Sequence, residues 1–127
     1  MHRPFSQACE NNKQPILHRL LEHFATAKQV LEIGSGTGQH AVFFAANLPH
    51  LQWHSSDMPE NHSGINQWID AFPSPNLHRP VNFTIGTDEW PLTNAEISAD
   101  AVFTANTTHI MQRKEVPQMF ALVADNL

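Results

Sequence analysis

Apolar residues recur at helical spacing early in the chain. Ile16, Leu17, Leu20, Leu21 and Phe24 share one face, with His18, Arg19 and Glu22 turned away. This predicts a helix over residues 15–24, with Pro15 in the first turn, where a missing N–H is tolerated. A short β-rich run, Gln29-Val30-Leu31-Glu32-Ile33, follows and ends in glycine. Ala41, Val42, Phe44, Ala45 and Leu48 mark a second helix, which Pro49 stops. Residues 51–55 read as a second strand, with Asp57 just past its end. Asn61 or Ser63 caps a third helix, whose face is Ile65, Trp68, Ile69 and Phe72, and the Pro73-Ser74-Pro75-Asn76 cluster ends it. Residues 81–85 alternate as a third strand should, and residues 100–105 make a fourth. Val116, Met119, Phe120 and Val123 give a last helix.

Strands and helices alternate, so the strands should be parallel with helices on both faces. Right-handed crossovers then give an α/β fold with a doubly wound sheet. Ligands in such sheets bind beyond the carboxyl ends of the strands, so chemistry is expected in the loops that follow them. The length of 127 residues suits one domain. The hydrophobic fraction is 41% and no run of 18 apolar residues occurs, so no membrane span is expected. With a net charge of −5 and no Lys/Arg cluster, a surface that tracks nucleic-acid phosphates is not expected. The single cysteine, Cys9, cannot form an internal disulfide, and there is no secretory signal at the start. Both point to the cytoplasm. The nine histidines lack metal-ligand spacing, and no metal site is expected.

The chemistry concentrates after the first strand, in Glu32-Ile33-Gly34-Ser35-Gly36-Thr37-Gly38-Gln39. Glycines there allow a sharp turn and let a ligand approach the backbone closely. The spacing is GxGxG. A dinucleotide fingerprint needs a sixth-position glycine, where this chain has Gln39, and a phosphate loop needs a Lys-Ser/Thr pair, which is missing. Asp57 ends the second strand, where a carboxylate accepts hydrogen bonds from both hydroxyls of a ribose.

The string from Val30 to Gly38 resembles motif I of class I S-adenosylmethionine-dependent methyltransferases. That resemblance implies S-adenosyl-L-methionine as cofactor. Glu32 would complement the ammonium, directly or through water. The loop of Gly34, Ser35, Gly36 and Gly38 would take the carboxylate and ribose, and Asp57 the ribose hydroxyls. The loop Gly86-Thr87-Asp88-Glu89-Trp90 looks like the family's adenine loop, with Asp88 ahead of Glu89 as the acceptor from the adenine amino group. Asn106-Thr107-Thr108-His109 stands where class I enzymes meet substrate. Asn106 is a candidate acceptor from the target group, and His109, with an ordinary pKa of about 6.5, a candidate general base.

A fuller likeness covers Ala8 to Leu17, Leu31 to Ala45 and Leu48 to Asp57, which resemble the methyltransferase-like domain-of-unknown-function 938 family. It implies a class I fold acting on a small-molecule methyl acceptor of undefined identity. It also makes Asn12 and Lys13 candidates for a lid near the methionine carboxylate, or else solvated helix residues. The chain departs from the family at His54-Ser55, usually Gln-Pro, and at Thr107-Thr108, usually Met-Ile. The second change lies at the substrate position.

Four strands are fewer than the seven that the resemblance implies. In the usual order 3-2-1-4-5-7-6, strand four would stand at an open edge, which invites pairing with another strand. The expectations are therefore three. The chain is an incomplete domain of a longer enzyme, it self-associates through that edge, or it is a short form that binds cofactor without turnover.

Overall fold

The computed structural model describes residues 4–83 and 99–104. They form α1 (Gln7–His23), β1 (Gln29–Glu32), α2 (Gln39–Asn47), β2 (Gln52–Asp57), a single 3-10 turn (Pro59–Asn61), α3 (His62–Ala71), β3 (Leu77–Asn82) and β4 (Ala101–Phe103). The four strands are all parallel, in the order β3-β2-β1-β4. This is the α/β arrangement that the alternation predicts, with β1 between β2 and β4. The loops after β1 and β2 consequently emerge side by side.

The core lies between sheet and helices. Val30 of β1, Trp53 of β2, and Ala41, Phe44, Ala45 and Leu48 from α2 and its end are wholly buried, with Leu20 of α1 against them. The rings of Phe44, Trp53 and Phe103 meet pairwise at 5.4–5.7 Å, tilted or edge-on, the arrangement favoured by ring quadrupoles. Val42, Ile65 and Ile69 join α2 to α3. No described helix is long and apolar enough to cross a membrane.

Several element boundaries differ from the sequence expectation, and β2 runs Gln52–Asp57 rather than 51–55, so Asp57 is its last residue and not just past its end. Helix α1 begins eight residues before Pro15, at Gln7, and encloses Pro15. Ser6 caps it by accepting from the Cys9 N–H at 3.2 Å. The segment 7–14 is polar and shows no apolar stripe, so periodicity does not reveal it. Leu21, expected on the buried face, is exposed.

Strand β3 runs Leu77–Asn82, not 81–85. Buried Asn76 sets its start. The Asn76 amide donates to the carbonyls of Ala45, Leu48 and Leu51 at 2.9, 3.2 and 2.7 Å, fixing the strand against the end of α2. Pro80 is tolerated because β3 lies at the margin of the described sheet, where a missing N–H breaks no ladder on its outer side. A register shift between His54 and Ser56 lets Ser56 and Asp57 pair with Val81 and Asn82.

Strand β4 is shorter than expected, Ala101–Phe103. Asp100 precedes it, its carboxylate accepting from the N–H groups of Lys28 and Gln29 at 2.9–3.2 Å. The expected adenine loop, the substrate loop with Asn106 and His109, Asp88 and the last helix lie outside the described residues.

Candidate functional site at the strand ends

Beyond the carboxyl ends of β1 and β2, the loop 33–38 folds back over β2. Gly34, Gly36 and Gly38 have φ of 73°, 62° and 95°, a region costly to residues with a Cβ. Their surroundings separate two uses. A Cβ at Gly38 would lie 3.0 Å from Ile65 Cα, so that glycine lets the loop pack on α3. A Cβ at Gly36 would meet nothing within 4 Å, and Gly36 is exposed. At Gly36, unlike Gly38, the absent side chain leaves backbone open to a ligand.

A cross-brace holds the loop. The Ser35 N–H donates to the Ser56 carbonyl at 2.8 Å, and the Ser56 N–H donates back to Ser35 Oγ at 3.0 Å. Ser35 Oγ in turn donates to Glu32 Oε1 at 2.8 Å, and the Trp53 indole N–H donates to the same oxygen at 3.1 Å. Glu32 is 2% exposed. Burial pushes its carboxyl up to about 7, against the two hydrogen bonds that favour its charged form, and nearby Asp57 adds to the rise.

Asp57 ends β2 beside this loop. Its Oδ2 accepts from the Gly36 N–H at 2.8 Å, and its Oδ1 from the Met58 N–H at 2.7 Å and the Asn61 amide at 3.0 Å. Asn61 therefore precedes α3 without capping it through its side chain. The arrangement places a carboxylate and an open glycine in contact across neighbouring strands.

Glu32, Gly34, Ser35, Gly36, Gly38 and Asp57 are thus gathered in one place. Asn12 and Lys13 join them through no described contact. Asn12 is exposed on α1, and Lys13 pairs with Glu10 at 2.7 Å and sits 4.7 Å from the centre of the Phe43 ring, on the outer side of α2. A cavity of about 540 Å³ lies there, lined by Phe5, Lys13, Phe43 and Trp68 among others. It is not at the strand ends. Sequence reasoning missed Gln39, which is 2% exposed and hydrogen-bonded on both sides of its amide. The signal available was a large polar residue opening a largely apolar helix. Among the described residues, no three His, Cys, Asp or Glu side chains group as metal ligands.

Comparison with known proteins follows the same lines. The family described as "Protein of unknown function (DUF938)" matches residues 3–127. Among solved structures, the chain is similar to the apo form of the S-adenosylmethionine-dependent methyltransferase SibL, with TM-score 0.79 and 20% identity over 94% of this chain and 33% of that one. It is similar to human N-acetylserotonin methyltransferase in complex with SAM, with TM-score 0.73 and 15% identity over 94% and 32%. It is also similar to an O-methyltransferase from a Brevibacillus brevis multienzyme in complex with S-adenosyl-L-homocysteine, with TM-score 0.67 and 19% identity over 91% and 37%. The chain spans about a third of the length of each. At these identities the likeness establishes the fold.

Proposed function

Because this chain belongs to the DUF938 family, we propose that its strand-end site binds S-adenosyl-L-methionine and serves methyl transfer to a small-molecule acceptor. One observation carries the reading. A ribose-competent carboxylate, Asp57, stands against an exposed glycine backbone, Gly36, with open space where a side chain would be.

The residues fit that cofactor. It carries cationic ammonium and sulfonium groups and no phosphate, and the strand ends offer two carboxylates, Glu32 of β1 and Asp57 of β2, with no lysine or arginine among residues 29–38. When bound, S-adenosylmethionine supplies a methyl group activated by the positive sulfur. The protein's part is to bind and align. Both lone pairs of Asp57 Oδ1 are engaged by Met58 and Asn61, and one on Oδ2 is free beside the Gly36 N–H, so the carboxylate accepts one ribose hydroxyl directly and the second by displacing the Asn61 amide. Glu32 offers negative charge toward the ammonium, through Ser35 or water. The Gly36 backbone admits the ribose without a clash. Asp88 is proposed to accept from the adenine amino group. Asn106 is proposed to orient the acceptor and His109 to take its proton. Holding donor and acceptor in line supplies most of the rate enhancement.

Calorimetric titration of the chain with S-adenosylhomocysteine tests the reading. Binding at micromolar strength or weaker is expected, with no response to NAD. Asp57→Ala should weaken it at least tenfold, since charge-assisted hydrogen bonds contribute about 1.5–3 kcal/mol each. Tight NAD binding, or an Asp57→Ala variant with unchanged affinity, would overturn it.

A further inference from the structure

Just beyond the glycine loop, Gln39 opens α2 and is almost wholly buried. Its carbonyl oxygen accepts from the Ser6 N–H at 2.6 Å and from Thr37 Oγ1 at 3.0 Å. Its amide nitrogen donates to the Ser6 carbonyl at 3.3 Å and to Glu10 Oε2 at 2.7 Å. Two acceptor positions and two donor hydrogens are all engaged. The Ser6 and Glu10 partners are 33 and 29 residues away, so the bonds join the start of α1 to the loop. Thr37 closes the connection, since its Oγ1 also accepts from the Gln39 N–H at 3.2 Å.

A second pin holds the same segment. The Trp68 indole N–H donates to the Pro4 carbonyl at 2.6 Å, and Pro4 lies so close to Gly64 that a Cβ there would come within 2.6 Å of Pro4 Cγ. Residues 4–10 therefore form a strap fastened to α3 at one end and to the cofactor loop at the other.

From this geometry we infer that Gln39 is a positioning residue, which latches the strap of residues 4–10 to the glycine loop and orders the loop for cofactor. The inference rests on the proposed function for its last clause only. A loop with three glycines has much backbone freedom to lose on binding. Bonds that fix it beforehand remove that loss from the binding step. No other described side chain joins the strap to the loop through both its donor and its acceptor groups. Glu10 is held in its charged form by Lys13 and Gln39, which keeps the strongest of these bonds charge-assisted.

The test is hydrogen exchange and S-adenosylhomocysteine titration on the whole chain, for wild type, Gln39→Met, Trp68→Phe and the double variant. Methionine keeps the length and removes every polar contact of the amide. Gln39→Met should speed exchange of the Gly36 and Gly38 amides about tenfold and weaken S-adenosylhomocysteine by a similar factor. Trp68→Phe removes the hydrogen bond of the far pin while keeping a ring to stack on Phe72 and pack on α2, and should also speed loop exchange, by a smaller factor. In the double variant it should add little, because the strap is already released. Faster exchange confined to residues 6–10, with loop and affinity unchanged, overturns the latch. So does full additivity, which would mean that Trp68 acts on the loop by packing alone. If Gln39→Met does not fold, the Trp68→Phe result decides: an unchanged loop overturns the latch. If the wild type binds no S-adenosylhomocysteine, the proposed function fails, while loop exchange still decides whether the latch exists.

Discussion

Glu32 is the residue whose environment most constrains the site. A carboxyl pushed up to about 7 is shared between charged and neutral forms near neutral pH. A cationic ammonium nearby favours the charged form, so binding S-adenosylhomocysteine at pH 7 should release a fraction of a proton. The heat of binding should then depend on the ionisation enthalpy of the buffer. Glu32→Gln should abolish that dependence and weaken binding about tenfold. Buffer-independent heats in the wild type would show that Glu32 does not sense the ligand. The two glycines make a paired prediction. Gly36→Ala places a Cβ in open space, so stability should fall by only about 1 kcal/mol for the left-handed backbone, while S-adenosylhomocysteine affinity falls at least tenfold. Gly38→Ala drives a Cβ to 3.0 Å from the Ile65 backbone, so its loss should appear first in the melting temperature. Equal affinity losses with equal stability would remove the distinction. Glu32, Gly36 and Asp57 were legible because strand-end position and residue type determine them together. Gln39 was not, because its partners Ser6 and Glu10 become neighbours only when the chain folds.

Among elements, legibility followed locality. Strand β1 is read from an apolar run closed by glycine, and α3 from its apolar face, both contained in a few consecutive residues. Strand β3 is set by Asn76 against the end of α2 and by its register with β2, so a window centred on 77–82 sees only a polar stretch with a proline. Helix α1 failed in a similar way, because its first half is held by Ser6, Glu10 and Gln39 rather than by an apolar stripe. Pro15 inside that helix removes the N–H that would bond the Asn11 carbonyl and crowds it. Pro15→Ala should therefore stabilise the chain. The intrinsic gain is about 3 kcal/mol, reduced because proline also stiffens the unfolded chain. A rise in urea midpoint with unchanged slope would confirm it. A fall would mean that Pro15 is needed to seat residues 4–10.

At the scale of the whole molecule, buried titratable groups on neighbouring strands pull stability in opposite directions with pH. Glu32 is raised from 4.5 to about 7, so the folded state binds more protons between those values. Its contribution is complete below about 4.5 and is lost as pH rises toward 7. His54 of β2 stacks on His78 of β3 with ring centres 4.3 Å apart, and it is lowered from 6.5 to about 4, by burial first and by His78 second. Here the unfolded state binds more protons, so stability is complete above about 6.5 and is lost as pH falls toward 4. His40, buried beneath Phe44 and lowered by that burial, adds in the same sense as His54. One proton difference changes stability by about 1.4 kcal/mol per pH unit. Between pH 4.5 and 6.5 the opposing slopes of Glu32 and His54 nearly cancel, leaving a shallow profile that tilts toward higher pH by whatever His40 adds. Single substitutions should separate them. Glu32→Gln should steepen the rise of stability with pH across this window, and His54→Gln should flatten or reverse it. Urea unfolding at half-unit pH steps measures both slopes. If Glu32→Gln leaves the wild-type profile unchanged, the carboxyl at position 32 is ionised throughout the window, and the site beneath the glycine loop is more polar than its burial implies.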